Sequence, residues 1–154
     1  MQTILFSDAE PPQSARQYTA PAEEETPALK GKRVVVVEDE GVTQVQLRKI
    51  LTREGLNVVG SAKSGAEGVE AVLREKPDLV LMDIRMPGEY DGLEAARRIL
   101  EEQSVCIVML TAFSDATYKE QARQVGACGY VVKPIDKDTL LPQIEVALKT
   151  HQPQ

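Results

Sequence analysis

Acids close two of the chain's apolar runs. Glu38, Asp39 and Glu40 come directly after residues 34–37, which are all Val, and Asp83 comes directly after the Leu-Val-Leu-Met run of 79–82. Unbroken runs of this kind read as strands covered on both faces, and the useful position on a buried parallel strand lies just past its carboxyl end. Two more runs follow the same rule: 105–110 leads into Thr111-Ala112, and 130–132 leads into Lys133-Pro134. Four strands thus deliver carboxylates, a hydroxyl and an ammonium to one edge.

Carboxylates held this close repel one another, so either one takes up a proton or a cation joins them. Hard oxygen ligands with no His or Cys among them suit Mg2+ or Mn2+; His151, the one histidine, sits in the tail. Lys133 lies two strand spacings from Asp83, roughly 10 Å at backbone level, and its flexible stem can return the ammonium to the acids. Thr111 ends the strand between them and can aim a hydroxyl at the same point. Such a set could hold a phosphoryl group on Asp83, the carboxylate serving as nucleophile to make an acyl phosphate whose oxygens the metal and Lys133 neutralise. Each residue alone has a plainer reading. Glu38 and Asp39 could be solvated turn residues, Asp83 a helix cap, Lys133-Pro134 a turn, Thr111 a structural strand end and Tyr130 a core aromatic. Their convergence is what those readings fail to explain. Glu40 reads as a surface acid outside the site.

The elements that must position these groups alternate strand and helix five times from Lys32 onward. Helical spacing places Leu47, Ile50 and Leu51 on one face of the first helix, and Ala66, Val69 and Leu73 on one face of the second, which opens at Ser64. Gly55 is a helix stop, and Val58-Val59 make a short second strand. The third helix shows Leu93, Ala96 and Leu100, the fourth Tyr118, Ala122 and Val125, and the fifth Leu140, Ile144, Ala147 and Leu148. Pro142 removes a backbone donor, so the fifth helix is expected to start near Thr139 or to kink. Alternation with short connections predicts an α/β fold, a doubly wound parallel sheet of five strands with right-handed crossovers and helices on both faces. Its order, 2-1-3-4-5, is taken from known flavodoxin-like folds. In that order the first and third strands are neighbours, so Asp39 and Asp83 end side by side.

A chain of 154 residues with 42% apolar and 27% charged residues has room for one core. Residues 1–31 hold four prolines, the acidic run Glu23-Glu24-Glu25 and one apolar cluster, Ile4-Leu5-Phe6, and read as a disordered leader. The domain then spans 32–150, with a tail at 151–154. A net charge of -6 and the lack of a basic stripe argue against nucleic-acid binding. No stretch approaches a membrane span and no secretory signal opens the chain, which points to a cytoplasmic protein. Cys106 and Cys128 read as small buried hydrophobes.

Over residues 32–150 the segments VVVVEDE, LVLMDIRMPG, DGLEAA, VMLTA and GYVVKP, in this order, closely resemble the receiver domain of bacterial two-component response regulators. The resemblance implies that Asp83 is the phosphoacceptor, Asp39 a direct metal ligand, Glu38 a ligand acting largely through water, and the Arg85 carbonyl a further ligand. It makes Thr111 and Lys133 the groups that hold the phosphoryl oxygens. Tyr130 becomes an aromatic switch that turns inward as Thr111 moves, and Ala112 keeps the approach to Asp83 open. Arg85 and Phe113 take positions that tune the lifetime of the phosphorylated state. Two features depart from the common pattern: Glu38 stands where Asp is usual, and the loop from Met86 to Gly92 carries one extra residue.

The expected function is a stand-alone receiver that takes a phosphoryl group from a sensor histidine kinase or a histidine phosphotransfer protein and changes how it binds a downstream target. Homodimerisation through the face of helix four, strand five and helix five could be part of that output. Catalysis is confined to its own phosphorylation and dephosphorylation. One rival is a phosphorylation-independent adaptor of the same fold, against which the intact Asp83, Thr111 and Lys133 argue. Another is an aspartate-nucleophile phosphatase, but its second acid would stand where Arg85 does. A flavin protein would want a hydroxyl- or Gly-rich phosphate loop where three acids follow the first strand.

Overall fold

A computed structural model describes residues 28–112 and 116–151. Most of the leader, including Ile4-Leu5-Phe6 and the glutamate run, lies outside the described residues, as do Phe113 and residues 152–154. Five strands alternate with five helices: β1 Arg33–Val37, α1 Gly41–Arg53, β2 Asn57–Ala62, α2 Gly65–Glu75, β3 Leu79–Asp83, α3 Gly92–Glu102, β4 Cys106–Thr111, α4 Ala116–Val125, β5 Gly129–Val132 and α5 Lys137–Thr150. All strand pairs are parallel and the spatial order is β2-β1-β3-β4-β5, as the sequence predicts.

Every residue of β3 and β4 is buried, as two-sided coverage requires of their unbroken apolar runs. Alternate strand residues feed two cores. Val34, Val36, Leu79, Leu81, Val108 and Leu110 pack with α1 and α5, while Val35, Val37, Val80, Met82, Ile107 and Met109 pack with α2, α3 and α4. Leu29 joins the first core fully buried, and the Gly31 N–H donates to the Gly55 carbonyl at 2.7 Å, so the packed chain reaches back ahead of Lys32.

Four local readings need correction. The face of α2 that meets the sheet carries Gly65, Gly68, Ala71 and Val72, with Val69 packed at its margin; Leu73 is only partly buried and Ala66 is exposed. Small residues win because the helix sits close: a Cβ on Gly68 would lie 2.8 Å from a Val37 methyl. Likewise α3 buries Gly92, Ala95, Ala96 and Ile99, leaving Leu93 and Leu100 at the margin of the face. The fifth helix begins at Lys137, ahead of Thr139, because Asp136 caps it by accepting from the Thr139 N–H at 2.9 Å. Pro142 sits inside it on the exposed side. The second strand is longer than Val58-Val59, running over six residues.

Candidate functional site

The sheet order decides which strand ends meet. Val37 pairs with Met82 and Asp83 with Leu110, so the residues following β1 stand beside the end of β3, and Thr111 lies one step past the partner of Asp83. The Lys133 N–H donates to the Thr111 carbonyl at 2.7 Å, which prolongs the β4–β5 pairing to the lysine. Carboxylate oxygens of Glu38, Asp39 and Asp83 all lie within 4.8 Å of one another. Glu38 and Thr111 are fully buried and Asp83 is 4% exposed; Asp39 is the least covered of the three acids.

Lys133 reaches back as its stem length allows. Its Nζ lies 3.0 Å from Asp83 Oδ2 and 2.8 Å from Glu38 Oε1. One ammonium thus faces two buried carboxylates, a net excess of negative charge. Burial pushes the Glu38 carboxyl up to about 7, against the downward pull of Lys133 and of the Glu40 N–H, and Asp83 adds to the rise. Burial opposes the Lys133 charge, but Glu38 and Asp83 outweigh it and hold the ammonium above its usual range.

Glu38 Oε1 is ion-paired yet receives no aligned hydrogen bond, although its atom is buried. An acceptor left in this state has lone-pair capacity for a cation or a cation-bound water. Three hard oxygen donors, one of them under-satisfied, fit Mg2+ or Mn2+ by donor chemistry. The other Glu38 oxygen accepts from the Glu40 N–H at 3.0 Å.

Arg85 follows Asp83 closely: its N–H donates to Asp83 Oδ1 at 3.3 Å, and its guanidinium donates to the Tyr118 hydroxyl on α4, also at 3.3 Å. Tyr130 is half-buried on the α3–α4 side of β5, in register with Met109. Ala112 is exposed. The long loop is pinned from two sides, since Asp91 caps α3 through the Glu94 N–H and the Tyr90 ring lies 4.0 Å beneath the Arg98 guanidinium. Gly92 has no alternative, because a Cβ there would fall 1.9 Å from the Asp83 carbonyl oxygen.

The structure brings Glu38, Asp39, Asp83, Thr111 and Lys133 to one edge and sets Tyr130 on β5 in register with Met109, two residues before Thr111. Glu40 is exposed, as expected of a surface acid, yet it touches the site. Its N–H holds Glu38, and its carboxylate lies 4.0 Å from Lys133 Nζ at the rim. Gln44 went unnoticed. Its amide donates to the carbonyls of Glu38 and Ala62, at 2.8 and 2.9 Å, tying the loop after β1 to the end of β2. The signal for it was a polar residue three positions before Leu47 on the core-facing stripe of α1. The Arg85–Tyr118 contact had no comparable signal, because it joins residues 33 apart across two elements.

A parallel sheet of this order with acids, a threonine and a lysine at its carboxyl edge defines the receiver class of signalling domain. Residues 34–145 match the sequence profile described as "Response regulator receiver domain", and the chain belongs to that family. It is 44% identical over 117 residues to the transcriptional regulatory protein PdtaR of Mycobacterium tuberculosis, covering 76% of this chain and 57% of PdtaR, so it spans little more than half of that relative. It is 38% identical over 120 residues to the chemotaxis protein CheY of Treponema pallidum, covering 76% of this chain and 83% of that one. Among solved structures, the signal receiver domain of a modulated diguanylate cyclase from Desulfovibrio desulfuricans superposes with a TM-score of 0.72 at 32% identity, over 79% of this chain and 97% of that one.

The chain is accordingly a response regulator receiver of two-component systems, a family that works by phosphorylation-dependent regulation. CheY-type receivers are generally signalling modules and not enzymes, typically bind Mg2+ at an acidic pocket, and interact with histidine kinases or phosphotransfer proteins and with downstream targets. No helix among the described residues is long and apolar enough to cross a membrane.

Proposed function

We propose that this chain accepts a phosphoryl group on Asp83 from the phosphohistidine of a sensor kinase or a histidine phosphotransfer protein, and acts only on its own acyl phosphate. The observation that carries the proposal is the double contact of Lys133 with Asp83 and Glu38 beside three carboxylates within 4.8 Å of one another. That arrangement presents Asp83 as a nucleophile with positive charge already beside it. An Asp83 oxygen attacks phosphorus as the bond to the donor imidazole breaks, and the donor nitrogen keeps the electron pair.

Asp39, Asp83 and Glu38, with the Arg85 carbonyl, would hold Mg2+ or Mn2+, which supplies charge neutralisation for the transferring group. Lys133 moves from pairing Asp83 to pairing a phosphoryl oxygen, and the Thr111 hydroxyl takes another. The shift of Thr111 lets Tyr130 turn inward and alters the surface of α4, β5 and α5, where a target or a second copy of the chain docks. On this reading positions 85 and 113 set the lifetime of the acyl phosphate, and the Arg85→Ala, Phe113→Ala double variant loses its phosphoryl group faster than wild type.

The test is incubation with acetyl phosphate, with and without Mg2+, read by intact mass. A single phosphoryl adduct that needs Mg2+ and is lost in Asp83→Asn supports the proposal. No adduct in wild type would favour the adaptor reading, and steady hydrolysis of small phosphate esters would favour a phosphatase.

A further inference from the structure

At the sheet edge opposite Asp83, the amino ends of β4 and β5 bring together two thiols and the one histidine. Cys106 opens β4 and is fully buried; Cys128 lies just ahead of β5 and is half-buried. Val108 pairs with Gly129, and the Cys128 N–H donates to the Ile107 carbonyl at 2.8 Å, so Cys128 stands one residue along from the position opposite Cys106. The two thiols touch one another, as a disulfide between them requires. Both side chains belong to the same core, beneath α1 and α5.

His151 follows α5 and closes the group. Its Nδ1 lies 3.7 Å from Cys128 Sγ and its Nε2 lies 3.4 Å from Ser104 Oγ, so the ring is held from both sides. The thiols differ in character. The Cys106 thiol and then His151 hold Cys128 down at about 6, while the Cys128 contact and then burial push Cys106 up. A more exposed sulfur beside a histidine, with a fully buried thiol behind it, is the arrangement of an attacking and a resolving cysteine.

We propose that Cys106 and Cys128 form a reversible dithiol–disulfide site oxidised by hydrogen peroxide, with Cys128 as the attacking sulfur, Cys106 as the resolving one and His151 as a positioning residue. The Cys128 thiolate attacks one peroxide oxygen; the O–O bond breaks, hydroxide leaves and Cys128 becomes a sulfenic acid. The Cys106 sulfur then displaces hydroxide from the Cys128 sulfur, its proton completes a water molecule, and the S–S bond forms. Peroxide takes two electrons and the two sulfurs supply them. The link would join the strands whose other ends carry Thr111 and Lys133.

The experiment exposes the full chain to hydrogen peroxide, blocks remaining thiols by alkylation, and reads intact mass and tryptic peptides. The expected monomer loses the mass of two hydrogens, peptides 99–119 and 124–137 run linked, and dithiothreitol separates them. In Cys106→Ser, dimedone traps a sulfenic acid on Cys128, and in Cys128→Ser neither link nor adduct forms. Linkage slows severalfold in His151→Ala. Unlinked peptides from wild type, whether with both thiols free or with Cys128 carried on to sulfinic acid, would overturn the pairing, as would a link found only between two chains. Equal rates in wild type and His151→Ala would overturn the part given to the histidine.

Discussion

Lys133 faces two buried carboxylates at once, and removing it strands both. Lys133→Ala is expected to destabilise the metal-free protein by about 3 kcal/mol, the usual cost of breaking a buried pair, measured by urea unfolding, and to abolish labelling by acetyl phosphate. Glu38 gives a pH signature. Its carboxyl is raised from the usual 4.5 to about 7, so the folded protein keeps a proton that the unfolded chain has released. That contribution is complete below about pH 4.5 and is lost as the pH climbs through about 7. Metal-free wild type should therefore lose on the order of 2 kcal/mol relative to Glu38→Gln between pH 5 and 8. Parallel pH profiles would argue against a raised Glu38. At this scale the sequence was informative where a residue's type and its place at a strand end coincided, as for Asp83, Thr111 and Lys133. It was silent where a backbone group acts, as with the Glu40 N–H on Glu38, because every residue carries that group.

Elements meet through small residues on one side of the sheet. Gly68 on α2 and Gly92 on α3 let the helices approach Val37 and the Asp83 backbone more closely than any side chain permits. Gly68→Ala should cost about 1–3 kcal/mol as overpacking, with the fold retained. In α5, Pro142 lies exposed and forgoes one helix hydrogen bond, so Pro142→Ala should stabilise the protein by about 1 kcal/mol or more in the same unfolding assay; a loss would mean that the proline's stiffness outweighs the missing bond. Helical periodicity identified all five helices, yet placed the buried face of α2 on Ala66, Val69 and Leu73. Hydrophobicity marks the larger apolar residues as core, whereas close packing rewards the smallest. The cap at Asp136 likewise overrode the expectation drawn from Pro142, since a capping bond fixes where a helix begins before a later proline can.

For the whole molecule, strand order is what turns scattered residues into a site: Glu38 and Lys133 are 95 positions apart in the chain and 2.8 Å apart in space. Alternation made the layered sheet legible, while its order had to come from known folds, because pattern alone does not say which strand neighbours which. A cation that binds only the folded cup should stabilise the entire domain. Saturating Mg2+ at about 100 times its Kd would add about 2.7 kcal/mol, and Asp39→Asn should lose most of that gain. The central claim is that the cup stabilises an acyl phosphate at Asp83, and borohydride trapping after acetyl phosphate labelling tests it most directly. Reduction should convert residue 83 alone to homoserine, located by peptide sequencing; an unreduced Asp83 in a phosphorylated chain, or homoserine at any other position, would contradict it.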